Sequence, residues 1–133
     1  CQATYVSKEE LLRSADHVVL VLPYSPASHH AIGAAELDLM KPTATLVNIA
    51  RGGIVDDVAL AAALRDKRIA GAGLDVFENE PNVPAALCAL DNVVLTPHIG
   101  SGTWQTRGAM TDLAFGNLQA HFAGRALLSP VPE

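Results

Sequence analysis

The chain has 133 residues, half of them apolar and 17% charged, which is one domain's worth of sequence with enough apolar material for a core. Nine basic and fourteen acidic residues give a formal net charge of −5, which argues against nucleic acid as a partner. No apolar run approaches the ~20 residues of a membrane span, and Cys1 and Cys88 do not make a disulfide framework. We therefore expect a cytoplasmic protein that does not bind membranes.

The apolar pattern predicts helices that alternate with short strands. The first predicted helix is capped by Ser7 and runs to about Ser14, and the second covers residues 34–40. The third begins at Asp56 or Asp57 and ends near Lys67. The fourth covers residues 103–123 and is ended by Gly124. Buried strands are predicted at residues 17–22, 45–49, 70–76 and 93–95. Strands alternating with helices form a parallel sheet, so the predicted fold class is α/β.

Three polar residues stand just past the ends of predicted strands. Arg51 lies in the segment NIARGG, Glu80 in LDVFENEP and His98 in LTPHIG. Loops at the carboxyl ends of parallel strands are where open α/β sheets bind ligands. A cation, a carboxylate and an imidazole are the groups that a site needs to hold an α-keto acid and to move one proton. These three residues are therefore the candidate catalytic residues.

In this order and spacing, the three segments resemble the D-isomer-specific 2-hydroxyacid dehydrogenases, most of all their glyoxylate/hydroxypyruvate reductase branch. The steps of 29 residues from Arg51 to Glu80 and of 18 from Glu80 to His98 fit that family. The resemblance implies an NAD(P)-dependent oxidoreductase that transfers a hydride between the cofactor and a small 2-keto acid or D-2-hydroxy acid, such as glyoxylate or hydroxypyruvate. It also implies a homodimer for the parent protein.

The resemblance assigns a role to each catalytic residue in the direction of reduction. Arg51 would hold the substrate carboxylate and polarise the ketone, because a guanidinium presents a planar fork of donors. His98 would donate the proton that the alkoxide needs, since histidine exchanges protons near neutral pH. Glu80 would orient the imidazole. Glu78 competes for that role, but Glu80, next to Pro81, matches the family position.

Several further positions match cofactor contacts of the family. Asp75 matches the partner of the nicotinamide carboxamide. Six further positions act by shape and backbone. They are Leu22 and Pro23 at the adenosine half, Ile49 and Ala50 beside the nicotinamide ribose, and Gly100 and Ser101 at the far side of the ring. Arg51 and His98 are also counted among the cofactor-binding residues. None of these residues distinguishes NAD from NADP. Trp104 is expected to pack in the fold, with the border of the pocket as the alternative.

The glycine-rich turn that binds pyrophosphate in dinucleotide-binding domains is not found in the sequence. The nearest approach, Gly100-Ser101-Gly102, has Gln105 where the third glycine would stand. We therefore expect the second half of a doubly wound, Rossmann-type sheet, a fragment that lacks the G-x-G-x-x-G half and the substrate domain. On this interpretation, residues 1–126 form a partial dinucleotide-binding domain and residues 127–133 begin a return to the substrate domain.

Two other functions fit the same residues. A dinucleotide-sensing corepressor on this fold would carry the same three catalytic-type side chains, and an inert structural fragment would have no activity of its own. Turnover of glyoxylate or hydroxypyruvate distinguishes them from a reductase.

No metal site is expected from the sequence. The pair His29-His30 lacks the i, i+4 spacing of a helical metal pair, and no Cys-x-x-Cys occurs. His17 and His121 stand alone in the sequence and are not expected to be ligands either.

Overall fold

The computed structural model describes residues 3–132, and the chain divides into two compact units, Cys1–Pro97 and His98–Glu133. The elements of the first unit are α1 (Lys8–Ser14), β1 (His17–Leu20), α2 (Ala34–Leu39), β2 (Thr45–Asn48), a 3-10 turn (Gly52–Ile54), α3 (Asp57–Arg65), β3 (Gly71–Leu74), α4 (Ala85–Cys88) and β4 (Val93–Leu95). The described part of the second unit holds α5 (Trp104–Phe122) and a short C-terminal segment. None of these helices is long and apolar enough to cross a membrane.

The four strands form a parallel sheet in the order β1-β2-β3-β4, which confirms the predicted α/β class. Side chains alternate between two faces, as a strand's period of two requires. One face buries Val18, Leu46 and Leu74, whereas Val19 and Val94 on the other are 51% and 68% exposed. Fully buried helix side chains complete the core on the first face, among them Leu12, Leu37, Leu60 and Leu64. The helices of this unit therefore cover one face of the sheet.

Local capping signals are confirmed by the helix ends. The Ser7 side chain accepts the Glu10 N–H, and Asp56, rather than Asp57, caps α3 by accepting two backbone N–H groups. Gly124 follows α5 in the left-handed region, with φ of 64°. The short helix α4 and the 3-10 turn were not predicted, because both are single turns in loops without an apolar period.

Three predicted strands are longer than the observed ones, and the one predicted at residues 45–49 ends at Asn48. The strand predicted at residues 17–22 ends at Leu20, and the one predicted at residues 70–76 covers Gly71–Leu74. Leu20, Asn48 and Leu74 are register partners across three strands. Strand β2 leaves the sheet after Asn48, so its neighbours lose their pairing partner at the same level.

The second unit consists mainly of an exposed helix. Ala120 is its buried residue, and Asn117 holds the C-terminal segment by accepting the N–H groups of Leu128 and Ser129. Trp104 is 93% exposed, so the expectation that it packs in the fold is wrong for this chain. Several apolar side chains of α5 are also exposed, namely Met110, Leu113, Phe115, Leu118 and Phe122. Helical spacing identified the helix correctly but could not show whether its apolar positions are covered.

Candidate active site

Asn48 shapes the loop that carries Arg51. Its side chain is buried, with 1% exposure. Its Oδ1 accepts the Ala50 N–H at 3.1 Å, and its Nδ2 donates to the Arg51 carbonyl at 3.0 Å. The Arg51 side chain is exposed, and its Nη1 donates to the Ala50 carbonyl at 2.6 Å. Because a buried amide holds the backbone on both sides, Arg51 leaves the carboxyl end of β2 in a defined direction.

Gly52 brings the Arg51 loop against the loop that carries Glu80. A Cβ at Gly52 would lie 1.9 Å from both the carbonyl carbon and the oxygen of Phe77, and 2.4 Å from the Glu78 nitrogen. Only a residue without a side chain fits between these two backbones. The contact joins segments that follow two adjacent parallel strands.

The Glu80 loop is held by two hydrogen bonds to carboxylates. The Phe77 N–H donates to Glu80 Oε1 at 2.9 Å, which turns the Glu80 carboxylate back over its own loop. The Glu78 N–H donates to Asp57 Oδ2 at 3.0 Å. Asp57 is the first residue of α3 and is 4% exposed, so the helix start is tied to this loop. Burial raises the pKa of Asp57 above its usual value, while the bond from the Glu78 N–H opposes that shift.

His30 contacts both the loop that carries Arg51 and the loop that carries Glu80. Its backbone N–H donates to the Gly53 carbonyl at 2.9 Å, and its Nε2 lies 3.0 Å from Glu78 Oε1. The residue has φ of 48°, in the left-handed region, where non-glycine residues are uncommon. Neither the placement of His30 nor the bond of the Asp57 side chain to the Glu78 loop was predicted, since Asp57 was expected only as an alternative to Asp56 at the start of α3. No local signal marks either of them, since their partner Glu78 is distant in the sequence.

Asp75 stands at the same edge of the sheet. Its backbone N–H donates to the Asn48 carbonyl at 3.0 Å, and Thr96 Oγ1 donates to its Oδ1 at 2.6 Å. Nearby positions predicted to line the cofactor differ in exposure. Leu22 is 37% and Ile49 56% exposed, whereas Ala50 is buried. Fixed polar groups and exposed apolar side chains therefore occur together past the ends of β1, β2 and β3, which fits a ligand that covers this edge.

His98 opens the second unit. It follows Pro97, has φ of 53°, and is exposed. The turn behind it closes with the Gly102 N–H donating to the Ile99 carbonyl at 2.8 Å, and Gly100 is exposed within this turn, as is Ser101. Arg51, Glu80 and Asp75 belong to the first unit, so the convergence of His98 with them stays a prediction.

Comparison with known proteins places the chain in a family. Residues 1–100 match the family described as D-isomer specific 2-hydroxyacid dehydrogenase, NAD binding domain. A hydroxyphenylpyruvate reductase of Plectranthus scutellarioides is 50% identical over 127 residues, which are 96% of this chain and 41% of that protein. A glyoxylate reductase of Thermococcus onnurineus is 54% identical over 118 residues, which are 89% of this chain and 35% of that protein.

A solved structure agrees with these relatives. It is an NADPH-dependent glyoxylate/hydroxypyruvate reductase from Sinorhizobium meliloti in complex with NADP and malonate, with a TM-score of 0.88 and 42% identity, covering 94% of this chain and 39% of that one. The chain belongs to the D-isomer-specific 2-hydroxyacid dehydrogenase family and matches its NAD-binding domain. It spans about two-fifths of the length of the relatives that it matches.

Proposed function

We propose that the protein is an NAD(P)H-dependent reductase of small 2-keto acids, with glyoxylate and hydroxypyruvate as the leading substrates. The observation that carries this proposal is the fixed approach of the Arg51 loop to the Glu80 loop through Gly52, at the carboxyl edge of a parallel sheet in a chain of this family. The names of the relatives support the substrate class, since they include glyoxylate and hydroxypyruvate reductases.

The residues at this edge fit a dinucleotide. Exposed Leu22 and Ile49 offer apolar surface, and the Asp75 carboxylate, oriented by Thr96, can accept an N–H from a carboxamide. A bound NAD(P)H would supply the hydride. Pro23, Ala50, Gly100 and Ser101 complete the proposed contacts of the cofactor. The structure with NADP supports the cofactor class, and steady-state rates with NADH and with NADPH distinguish the two coenzymes.

In the proposed mechanism, Arg51 holds the substrate carboxylate and polarises its ketone. Its guanidinium is exposed and its backbone is held by Asn48, so it can form a bidentate pair at a defined place. His98 donates a proton to the oxygen as the carbonyl carbon is reduced. Glu80 orients the imidazole, and its own position is set by the Phe77 N–H.

The proposed organisation extends beyond this site. Residues 1–126 would belong to the dinucleotide-binding domain, and residues 127–133 would lead to the substrate domain. We also propose a cytoplasmic homodimer. The exposed apolar side chains of α5, such as Phe115 and Leu118, support an interface. Sedimentation of the full-length protein tests the assembly, and a monomer at micromolar concentration would contradict it.

The test of the proposed activity is steady-state reduction of glyoxylate and hydroxypyruvate by the full-length protein with NADH and NADPH. His98→Ala should lower kcat by roughly 10²–10⁴-fold, the range for a lost general acid. Arg51→Ala should lower kcat and raise KM together, because the guanidinium contacts both the bound substrate and the developing charge. His121→Ala and Arg107→Ala, which alter exposed residues of α5, are the matched controls.

Two outcomes would contradict the proposal. Near-normal kcat in His98→Ala would remove this histidine from the reaction. Tight cofactor binding without turnover of any small 2-keto acid would favour a dinucleotide-sensing protein instead.

A further inference from the structure

A cluster of metal-binding side chains lies in the first unit, apart from the proposed catalytic groups. His29, His30 and Glu78 each offer one ligand atom, and these three atoms lie within 4.8 Å of one another. The rings of His29 and His30 are stacked, with centroids 3.9 Å apart and planes 22° from parallel. No metal site was expected from the sequence, because His29-His30 lacks the spacing of a helical metal pair and no Cys-x-x-Cys occurs. In the structure the two histidines lie in a turn, so that spacing does not apply to them.

The backbone around this cluster is held by long-range contacts. His30 donates its N–H to the Gly53 carbonyl at 2.9 Å, and Ile32 pairs with Val55 in an isolated parallel bridge. The Glu78 N–H is held by the buried carboxylate of Asp57 at 3.0 Å. The histidine turn and the Glu78 loop are therefore joined through the backbone and do not depend on a metal ion to meet.

An oxygen atom of another side chain lies near Nδ1 of each histidine. Tyr24 Oη lies 3.1 Å from His29 Nδ1, and an Asp56 carboxylate oxygen lies 4.0 Å from His30 Nδ1. The other Asp56 oxygen caps α3, which fixes that side chain. Histidines that ligate metals commonly form a hydrogen bond to an oxygen through their second nitrogen. Tyr24 is at hydrogen-bond distance from His29, whereas Asp56 is a charged neighbour of His30. His30 Nε2 lies 3.0 Å from Glu78 Oε1, so this nitrogen is on the side of the carboxylate.

We propose that His29, His30 and Glu78 form a binding site for a divalent transition-metal ion, with Zn²⁺ as the expected occupant. Two imidazoles and one carboxylate are a donor set that Zn²⁺ uses, with a fourth position for water. Zinc ligands at 2.0–2.1 Å from the ion stand about 3.3 Å apart, so the cluster must contract by roughly 1.5 Å at most. His29 is exposed and Glu78 is partly exposed, so rotations of these side chains can provide that movement.

On binding, Zn²⁺ would replace the direct contact between His30 Nε2 and Glu78 Oε1, which now lie 3.0 Å apart. The ion would tie the histidine turn to the loop that leads to Glu80. This inference does not depend on the reductase activity, since none of the three ligands has a role in the proposed reaction.

Titration calorimetry of the full-length protein with ZnCl₂ tests the site. We expect the wild-type protein to bind one Zn²⁺ at this site with a Kd on the order of 10 µM. His29→Ala and Glu78→Gln should each weaken this binding by at least about tenfold. Glutamine at position 78 can still accept a hydrogen bond from His30, so the loop should keep its fold, which circular dichroism would check. MgCl₂ should give no binding at this site, because Mg²⁺ prefers oxygen ligands.

His121→Ala is the matched control, because it removes an exposed histidine outside the cluster. It should bind Zn²⁺ as the wild type does. Tyr24→Phe should weaken binding less than His29→Ala, because it removes only a neighbour of the ligand. Wild-type protein that takes up no Zn²⁺ up to roughly 1 mM, or His29→Ala that binds it as tightly as the wild type, would overturn the proposal.

Discussion

Replacing Gly52 by alanine should separate the two loops of the candidate site. The added Cβ would lie 1.9 Å from the Phe77 carbonyl carbon, whereas carbon atoms in contact stand about 3.5 Å apart. One loop must therefore move by about 1.5 Å, and backbone on both sides prevents a rotamer change from relieving the clash. Gly52 does not have a left-handed φ, so the effect of the substitution is steric rather than conformational.

The expected loss is about 3–4 kcal/mol in the free energy of unfolding. Overpacking of this kind costs about 1–3 kcal/mol, and a clash with backbone belongs at the upper end. A shift of ~1.5 Å also breaks the bond from the Glu78 N–H to Asp57, now 3.0 Å, which adds about 1 kcal/mol unless the loops relax elsewhere. Because Arg51 precedes Gly52, the same movement should lower kcat/KM for 2-keto acids.

Urea unfolding of the full-length protein measures the loss. The control is Gly108→Ala, since a Cβ at this position in α5 meets nothing within 4 Å. That variant should gain about 0.5–1 kcal/mol, as alanine favours helix more than glycine does. The steric reasoning is refuted if Gly52→Ala unfolds within 0.5 kcal/mol of the wild type, the ordinary range of harmless substitutions.

Three further substitutions probe the neighbouring contacts. Because burial raises the pKa of Asp57 in the folded protein, the stability linked to this group is present at low pH and is lost as the pH rises from below 3.8 through the raised value. The free energy of unfolding of Asp57→Asn, measured with urea, should therefore rise relative to that of the wild type as the pH increases from about 3 to about 7. A difference between the two proteins that does not change with pH would contradict the raised pKa of Asp57. Thr96→Val removes the donor 2.6 Å from Asp75 and should weaken NAD(P)H binding in a fluorescence titration; unchanged affinity would mean that Asp75 needs no such support. Glu80→Gln keeps an acceptor for the Phe77 N–H, so thermal stability should stay near that of the wild type. Because the variant loses the carboxylate charge, kcat should fall, and normal turnover would remove the charge of Glu80 from the mechanism.

The features that the sequence predicts well are those with local causes. Ser7, Asp56 and Gly124 mark helix ends because each acts on backbone groups within a few residues of itself. The four strands are apolar runs of suitable length, and their alternation with helices predicts a parallel sheet. The segments around Arg51 and Glu80 were also identified at the correct edge, because each follows its strand directly.

The exact ends of the strands, by contrast, depend on a neighbour. The predicted strands ran past Leu20 and Leu74 because the apolar composition continues beyond them. The sheet ends there because the buried Asn48 amide turns β2 away, and that effect on adjacent strands requires their register to be known.

The sequence by itself determined the fold class, the family and the candidate residues, since these follow from short patterns and their spacing. Only the tertiary structure decided which side chains meet. His30 and Glu78 are 48 positions apart and Asp57 and Glu78 are 21 apart, and they touch because Gly52 lets two loops approach at backbone distance. The exposure of the apolar side chains of α5 also depends on the tertiary structure. Spacing predicts one face of a helix, but burial requires a partner surface, and these side chains stay largely exposed.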